Sequence, residues 1–535
     1  MASFSRWFQN EAAGIEELSI LEEPLRPVGE ILRSAERGTG LPCEDAASLF
    51  VWAQNPSRRA EIHAAAAHVR NGSTLKAVEF IIPVYLTSFC QNECLYCGYR
   101  RSNPLAERIR LSLEEFEQEL DLILSWGHRQ IELVLSDDPA LGPRDLVPYV
   151  ELTRRKLQGL GGGVVALCSP VYEREDYARL AAAGLDWVAE WQETYHQPHF
   201  DRWHFPGSKK RGYESRLDIW DDTIQAGISR VGLGFLLGLY YWRYDALAVI
   251  EHGNYLRQTY GVEPYALGIP RLKPARGVLA SQKPSRFTVS DEDFKLVVSV
   301  YHLAFPRSRL FFNTRESYAL NLSLVAAGDL FTVDCETLPG GYLRQRLPGQ
   351  FSTQQYPHRR EVVADLQRRG FACRYLAEES GAPAPVMPTA QEEEPDPRRW
   401  AEEHAEIRTR LSDWRAMLSS LAAPGLPGTN VRPAVDAALR VILQFFKTFV
   451  IEHCREEERV LFQALRRDPA SAATLERLWR EHERFGVDLD KYERQLTSFG
   501  LSGDPGVLLV LGDRIIRELG AHLDAEEDLV RNLSP

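Results

Sequence analysis

Short apolar runs rich in β-branched and aromatic residues recur through the middle of the chain. They are EFIIPVYL at 79–86, QIELVL at 130–135, GVVALC at 163–168 and DWVAEW at 186–191, then RVGLGF at 230–235, PYALGI at 264–269, RLFFN at 309–313 and LFTV at 330–333. Between them lie longer stretches with apolar residues at every third or fourth position, such as SLEEFEQELDLILSW and DEDFKLVVSVYHLAF. The first pattern is that of strands and the second that of amphipathic helices. Eight strands alternating with helices predict a parallel (β/α)8 barrel over 76–376; the alternative is an open doubly wound sheet, and the strand count favours the barrel. Residues 1–75, with CEDAASLFVWAQ and RRAEIHAAAAHVR, read as an N-terminal helical extension of that barrel.

The pattern changes after AEESGAPAPVMPTAQEEEPDP, a stretch rich in Pro, Ala and Glu with little to bury. It reads as a linker over 377–398. From 399 to 535 only the helical period remains, in four long stretches, and predicts an antiparallel four-helix bundle. The expected fold class is therefore α/β plus all-α: a (β/α)8 barrel with N-terminal helices, followed by a four-helix bundle.

Composition narrows the setting. A chain of 535 residues is too long for one ordinary core, and 26% charged with 44% hydrophobic residues is normal for soluble globular domains. A net charge of −12 argues against a nucleic-acid surface. No apolar run reaches the roughly 18 residues of a membrane span, and the N-terminal MASFSRWFQNEAAGIEE lacks the apolar core of a secretion signal. A cytoplasmic setting is expected, where thiols stay reduced and clustered cysteines read as metal ligands or catalysts before disulfides.

Three of the eight cysteines fall within TSFCQNECLYCGYRRSN, directly after the first strand. At that place in a parallel barrel lies the C-terminal mouth, where chemistry sits. Three thiolates hold three irons of a [4Fe–4S] cube and leave the fourth open for a substrate or cofactor. A structural zinc site wants four closed ligands, and no fourth Cys or His lies close in sequence. Three unrelated buried thiols in one short loop would be a coincidence.

The pattern C-x3-C-x2-C, with Tyr96 before the last Cys, resembles the radical S-adenosylmethionine (SAM) superfamily. The resemblance extends from about 40 to 375. CLYCGYRRSN, WQETYH (191–196), GIPRLKPARG (268–277), NTRES (313–317) and ETLPGGYL (336–343) are similar, in order, to segments of 2-iminoacetate synthase, the tyrosine lyase of thiamine thiazole biosynthesis. That implies a [4Fe–4S] cluster on Cys90, Cys94 and Cys97, with SAM on the open iron. A reductant such as flavodoxin or ferredoxin would supply the electron that cleaves SAM. The 5′-deoxyadenosyl radical so formed would take hydrogen from the amino group of a free aromatic amino acid. Tyrosine would then split into p-cresol and 2-iminoacetate (dehydroglycine). In the tryptophan-lyase branch the product would be 3-methyl-2-indolic acid. A hydrogenase-maturation relative makes CO and cyanide with a second cluster on a C-terminal C-x2-C; here the late cysteines, Cys335, Cys373 and Cys454, form no such pair.

Site residues follow from the same resemblance. Arg315 matches the carboxylate-binding arginine, a role suited to a bidentate fork. Glu193 and Tyr195 are expected to touch SAM or substrate, and Arg271 is a weaker candidate of the same kind. Asp137, in VLSDDP, takes the place of the glutamate that receives the SAM amino group. Two departures from the family pattern are Ser136 in place of its glycine and Asn313 in place of a serine. The stretch HQPHFDRWHF is a candidate lining for the pocket.

In the tail one histidine sits on each predicted helix: His404, His453, His482 and His522. Two begin an H-x3-E pattern, with Glu457 and Glu526, and residues four apart share a helix face. Imidazoles with bridging carboxylates suit a non-haem di-iron centre; the bland reading is interface histidines beside a solvated glutamate face. The pattern resembles the hemerythrin-like HHE cation-binding domain. Hemerythrins often offer a second histidine one turn after that of the third helix; here that position is Gly486. Glu456 and Glu527 are alternative carboxylates, and Cys454 reads as a packing residue. Joined to an oxygen-sensitive cluster, such a bundle is expected to protect it from O2, to act on the product, or to sense oxygen or iron. A barrel that has lost lyase activity and supports a di-iron sensor is the contrasting reading.

Overall fold

The computed structural model describes residues 3–377 except 39, 104, 205–207, 279–280, 282–284, 345–348 and 355. In the C-terminal part it describes 397–422, 472–502, 506–533 and, of 439–457, all but 441, 444, 451, 452, 455 and 456. The chain forms two compact units, Met1–Pro385 and Val386–Pro535. The expected linker, 377–398, lies almost wholly outside the described residues.

Ten strands make up the sheet of the first unit. They are β1 (Ala77–Phe80), β2 (Ile82–Thr87), β3 (Gln130–Leu135), β4 (Val164–Cys168), β5 (Trp187–Ala189), β6 (Val231–Gly234), β7 (Ala266–Gly268), β8 (Arg309–Phe312), β9 (Leu330–Phe331) and β10 (Ala372–Arg374). All pairings are parallel, in the order β10-β1-β9-β8-β7-β6-β5-β4-β3-β2. The run expected as one strand over 79–86 is thus two segments that meet at Ile81. Glu79 and Phe80 pair with β9, whereas β2 pairs with β3. Since β1 and β2 are successive parts of one stretch, the row of strands closes on itself there, giving the barrel. β10 was not foreseen: it pairs with β1, and Ala372 and Arg374 are exposed, so no apolar run marks it.

Four helices, Phe4–Ser19, Val28–Ala35, Cys43–Trp52 and Pro56–Gly72, precede the barrel. The first packs on the helix Trp242–Tyr260, with Phe4 stacked on His252 at 3.4 Å between ring centres. Local signals place the barrel helices. Ser112 and Glu115 form a capping box at the start of Leu113–Ser125. Gly261, at φ 69°, ends Trp242–Tyr260 in the left-handed region that favours glycine.

The second unit contains the helices Pro397–Ala422, Ala472–Ser502 and Gly506–Leu533. The helix expected between the first two is described only in part, including a π-helical turn at Phe446–Val450 just before His453. Their apolar faces meet around Trp414, Phe446, Leu489 and Leu523; the Trp414 indole donates to the hydroxyl of Tyr492 at 3.0 Å. Among the described residues, no helix is long and apolar enough to cross a membrane.

Candidate functional site

The loop after β2 carries Cys90, Cys94 and Cys97 at the C-terminal mouth of the barrel. Other loops hold its backbone. Gln91 N–H donates to the Asp137 carbonyl (3.0 Å), Leu95 N–H to that of Trp203 (3.0 Å) and Gly98 N–H to that of Gln350 (2.9 Å). A Cβ on Gly98 would run into the carbonyl of Gly349, so this close approach requires glycine. The Tyr96 hydroxyl lies 2.8 Å from Nε2 of His204, whose Nδ1 is 2.8 Å from the Phe200 carbonyl. The described part of HQPHFDRWHF, 196–204, therefore braces the cysteine loop and is not among the residues lining the cavity, contrary to expectation.

A cavity of about 580 Å³ opens at this mouth, lined by all three thiols with Asp137, Glu193, Lys210 and Arg315. Burial, then the neighbouring Cys97, pushes the Cys90 thiol up to about 11. Burial also raises Cys94 and Cys97. Such thiols give up their protons on binding metal. Among the described residues, the places where three or more metal-binding side chains gather within 4.8 Å are both in the bundle. The loop thiols line a larger space and do not close in to single-ion spacing.

Charges in the cavity are arranged in pairs that sequence reasoning missed. Glu193, at φ 71° after β5, meets Lys210 Nζ at 2.6 Å. Burial would raise its carboxyl, but Lys210 and Arg216 overcome that and hold it below the usual range. Glu190 pairs with Arg216 at 2.5 Å. Asp137 accepts from the side-chain amides of Gln91 (2.9 Å) and Asn92 (3.1 Å), tying β3's end to the cysteine loop. Glu132, on β3, is pushed up to about 8 by burial and has one oxygen without a hydrogen-bond partner. Burial therefore favours the neutral acid form in the cavity.

Arg315 follows β8 and also lines the cavity. Its guanidinium lies over the Phe351 ring at 3.4 Å, and its backbone N–H donates to Asn313 Oδ1 at 3.0 Å. Among the described residues it has no carboxylate partner, unlike Lys210 and Arg216.

Two expected site residues are not in the cavity. Tyr195 turns into the helical packing, where its hydroxyl is 3.0 Å from His252 Nδ1 and its ring meets Phe8. Its backbone N–H donates to Asp245 Oδ1 at 2.7 Å, which fixes the turn and aims the ring away. Arg271 is paired with Glu316 and, at 2.7 Å, with Asp291, and lies over Phe294. It ties the loop after β7 to the one after β8.

In the bundle the expected ligands converge. Nε2 of His404 and His453 lie 3.5 and 3.0 Å from Glu457 Oε1, and Nε2 of His482 is 3.6 Å from Glu457 Oε2. Glu526 mirrors this: Oε1 faces His522 (2.9 Å) and His482 (3.5 Å), and Oε2 faces His404 (3.7 Å). Each carboxylate spans two histidine pairs, which is how bridging ligands of a dinuclear centre are placed. Glu457 and Glu526 are 1% and 0% exposed, and Oε2 of each lacks a hydrogen-bond partner. Uncompensated buried carboxylate oxygens are costly, and cations satisfy them.

The other ring nitrogens are held from outside. His453 Nδ1 meets Glu403 at 2.7 Å, His522 Nδ1 meets Glu481 at 2.7 Å and His404 Nδ1 meets Glu527 at 3.2 Å. Carboxylates in that position orient metal-binding imidazoles. Glu527 sits on the Nδ1 side of His404, away from Glu457 and Glu526; Glu456 lies outside the described residues. Against the cost of burial, Glu457 and Glu403 raise His453 to about 10, a proton that a metal would displace.

Comparison with known proteins agrees with both halves. A model of the radical SAM superfamily matches residues 84–250, and one of the hemerythrin HHE cation binding domain matches 397–533. The chain is 33% identical over 297 residues to the 2-iminoacetate synthase of Escherichia coli (strain K12), covering 55% of this chain and 76% of that one. To the 2-iminoacetate synthase of Salmonella typhimurium it is 31% identical over 268 residues, covering 50% and 68%. Among solved structures, the FeFe-hydrogenase maturase HydG from Carboxydothermus hydrogenoformans matches with a TM-score of 0.62 at 26% identity, over 69% of this chain and 85% of that one.

Proposed function

The chain belongs to the 2-iminoacetate synthase family of radical SAM proteins, with a hemerythrin HHE domain behind it, and from that premise we propose that it cleaves free tyrosine to 2-iminoacetate and p-cresol. Enzymes of this kind use an iron–sulfur cluster and SAM, need a reductant and act on a small amino acid; a hemerythrin domain holds two irons. The observation that carries the substrate reading is Arg315, a cation in the cavity with no carboxylate partner among the described residues, beside the three thiols. A zwitterionic amino acid supplies the missing carboxylate.

A [4Fe–4S] cluster on Cys90, Cys94 and Cys97, with SAM, would supply a 5′-deoxyadenosyl radical. The remaining work falls to the chain's own residues. Arg315 clamps the substrate carboxylate and so sets which hydrogen faces the radical. Asp137, held by Gln91 and Asn92, receives the SAM ammonium group. The Glu193–Lys210 and Glu190–Arg216 pairs leave few unbalanced charges to draw water toward the reacting atoms. Glu132, whose neutral form burial favours, offers the phenol hydroxyl a partner. Flavodoxin or ferredoxin is the electron donor of the right kind.

The test is anaerobic turnover of the reconstituted enzyme with SAM and dithionite, reading products by mass spectrometry. Tyrosine should give 5′-deoxyadenosine, p-cresol and glyoxylate from hydrolysed 2-iminoacetate. An indolic product from tryptophan, with tyrosine untouched, would move the enzyme to the tryptophan branch. Absence of 5′-deoxyadenosine with either would leave the sensor reading.

The bundle is proposed to spare the cluster from O2, a reading motivated by the fusion itself. With His404→Ala and His522→Ala in the full chain, the cluster absorbance should decay severalfold faster in air. Equal decay would end the protection reading.

A further inference from the structure

Cys454 was expected to be a packing residue, and it does belong to the buried apolar core of the bundle. The described residues also place it elsewhere. Its sulfur lies within 4.8 Å of ligand atoms of Glu457, His482 and His522, all four side chains being buried. Within that group the Nε2 atoms of His482 and His522 come to 2.9 Å of one another. Of the two carboxylate oxygens nearest them, Glu457 Oε2, 3.6 Å from His482, has no hydrogen-bond partner, and Glu526 Oε1 lies 2.9 Å from His522. A second group, His404, His453, Glu457 and Glu526, gathers around the opposite oxygens of the same two carboxylates and contains no sulfur.

The two halves of the centre are thus unequal. The half at His404 and His453 offers two imidazoles and two carboxylate oxygens. The half at His482 and His522 offers two imidazoles, one carboxylate oxygen of Glu457 and one thiol. One turn beyond His482, where a further imidazole would fill that half, stands Gly486, which brings no donor atom. The thiol comes from the neighbouring helix, next in sequence to His453.

We propose that Cys454 is a thiolate ligand of the metal held by His482 and His522, so that the dinuclear centre carries nitrogen and oxygen donors alone on one metal and a sulfur donor on the other. This rests on the reading that the bundle binds two metals. Coordination replaces the S–H bond by a metal–sulfur bond and releases the proton to solvent, with no change of oxidation state. A soft thiolate favours zinc, copper(I) or iron–sulfur chemistry over hard oxygen-seeking ions. The two positions therefore differ in the metals they prefer, and the half with His482 and His522 should retain its metal longest against a chelator.

The test uses the full chain with Cys90→Ala, Cys94→Ala and Cys97→Ala, so that the barrel loop does not compete, loaded with cobalt(II). Two cobalt ions per chain and an intense near-ultraviolet sulfur-to-cobalt band are expected. Adding Cys454→Ser should abolish the band while cobalt still binds. Two bound cobalt ions without that band, or a band that survives Cys454→Ser, would overturn the proposal while leaving the dinuclear reading intact. No bound cobalt in the Cys454 parent would overturn both. Independent of any change at Cys454, X-ray absorption of the zinc-loaded parent should show a sulfur shell at about 2.3 Å; a shell of nitrogen and oxygen alone counts against thiolate ligation.

Discussion

With Arg315 replaced by Met, tyrosine cleavage should fall on the order of 10²- to 10³-fold in kcat/KM, while 5′-deoxyadenosine continues to form. Removing one partner of a desolvated, hydrogen-bonded charge pair costs about 2–5 kcal/mol, and each 1.4 kcal/mol is a factor of about ten. The guanidinium is half-buried and packed on Phe351, so water would replace it only in part at a substrate carboxylate. Burial lowers its own pKa, yet an arginine stays charged throughout the working range. Arg315→Lys keeps the charge and loses the fork; a loss of roughly tenfold, mostly in KM, is expected for a point charge in place of a bidentate donor. The split between products is the decisive reading. On the proposed reading, SAM cleavage depends on the thiols and Asp137, tyrosine placement on Arg315. A variant with normal iron content that makes 5′-deoxyadenosine without p-cresol supports the clamp. Equal loss of both products would mean that Arg315 supports the cysteine loop instead, and a fall of less than tenfold would leave it no substrate role.

Local periodicity located the strands of this barrel better than it told which way their polar residues face. QIELVL at 130–135 coincides with β3. Its alternation looks like that of a strand with one face in water, but Gln130 and Glu132 are buried like their neighbours, and Glu132 lines the cavity with Val134. Polar residues on barrel strands were thus a sign of a polar interior, visible only once the sheet was known to close. The break at Ile81 was invisible for a related reason: it comes from one stretch pairing with β9 and β3 in turn, a non-local demand. Motif resemblance located chain positions and not side-chain directions. Glu193 and Tyr195 lie two residues apart after β5, yet one lines the cavity and the other packs under a helix. Lys210 and Arg216 belong to no motif, so their pairing with Glu193 and Glu190 had no sequence signal. In the bundle, spacing within a helix revealed the histidines and bridging glutamates. Glu403, Glu481 and Cys454 join them only through contacts between helices.

Arg70→Met should destabilise the first unit by about 3–5 kcal/mol, the range for breaking a buried ion pair by removing one partner. Arg70 and Asp329 are both 0% exposed and meet at 2.9 Å. Arg70 also donates to the carbonyls of Pro306 (3.0 Å), Ser308 (2.8 Å) and Ala327 (2.7 Å), and so links the helix Pro56–Gly72 to the starts of β8 and β9. Asp329 accepts from the backbone N–H of Leu310 (3.0 Å) and Ala326 (2.8 Å) and approaches His302 Nε2 at 3.2 Å. Burial would raise its carboxyl, but Arg70 and then His302 outweigh that and hold it below the usual range. A depressed carboxylate contributes stability that is present above its unfolded pKa of about 3.9 and lost as pH falls through the folded value. The gap between parent and Arg70→Met should accordingly be full at neutral pH and narrow below about pH 4. Urea unfolding followed by tryptophan fluorescence measures it, with a midpoint shift of roughly 1 M or more at ordinary m-values. The double variant Arg70→Met with Asp329→Asn should recover part of the loss, because the stranded charge is gone and one backbone N–H keeps its acceptor. A double variant weaker than the single would mean that the carbonyl contacts, and not the charge pair, hold these strands. β8 runs directly into Asn313, Thr314 and Arg315, so the same variant should also loosen the clamp: with folded protein at low temperature, KM for tyrosine should rise while iron content is unchanged.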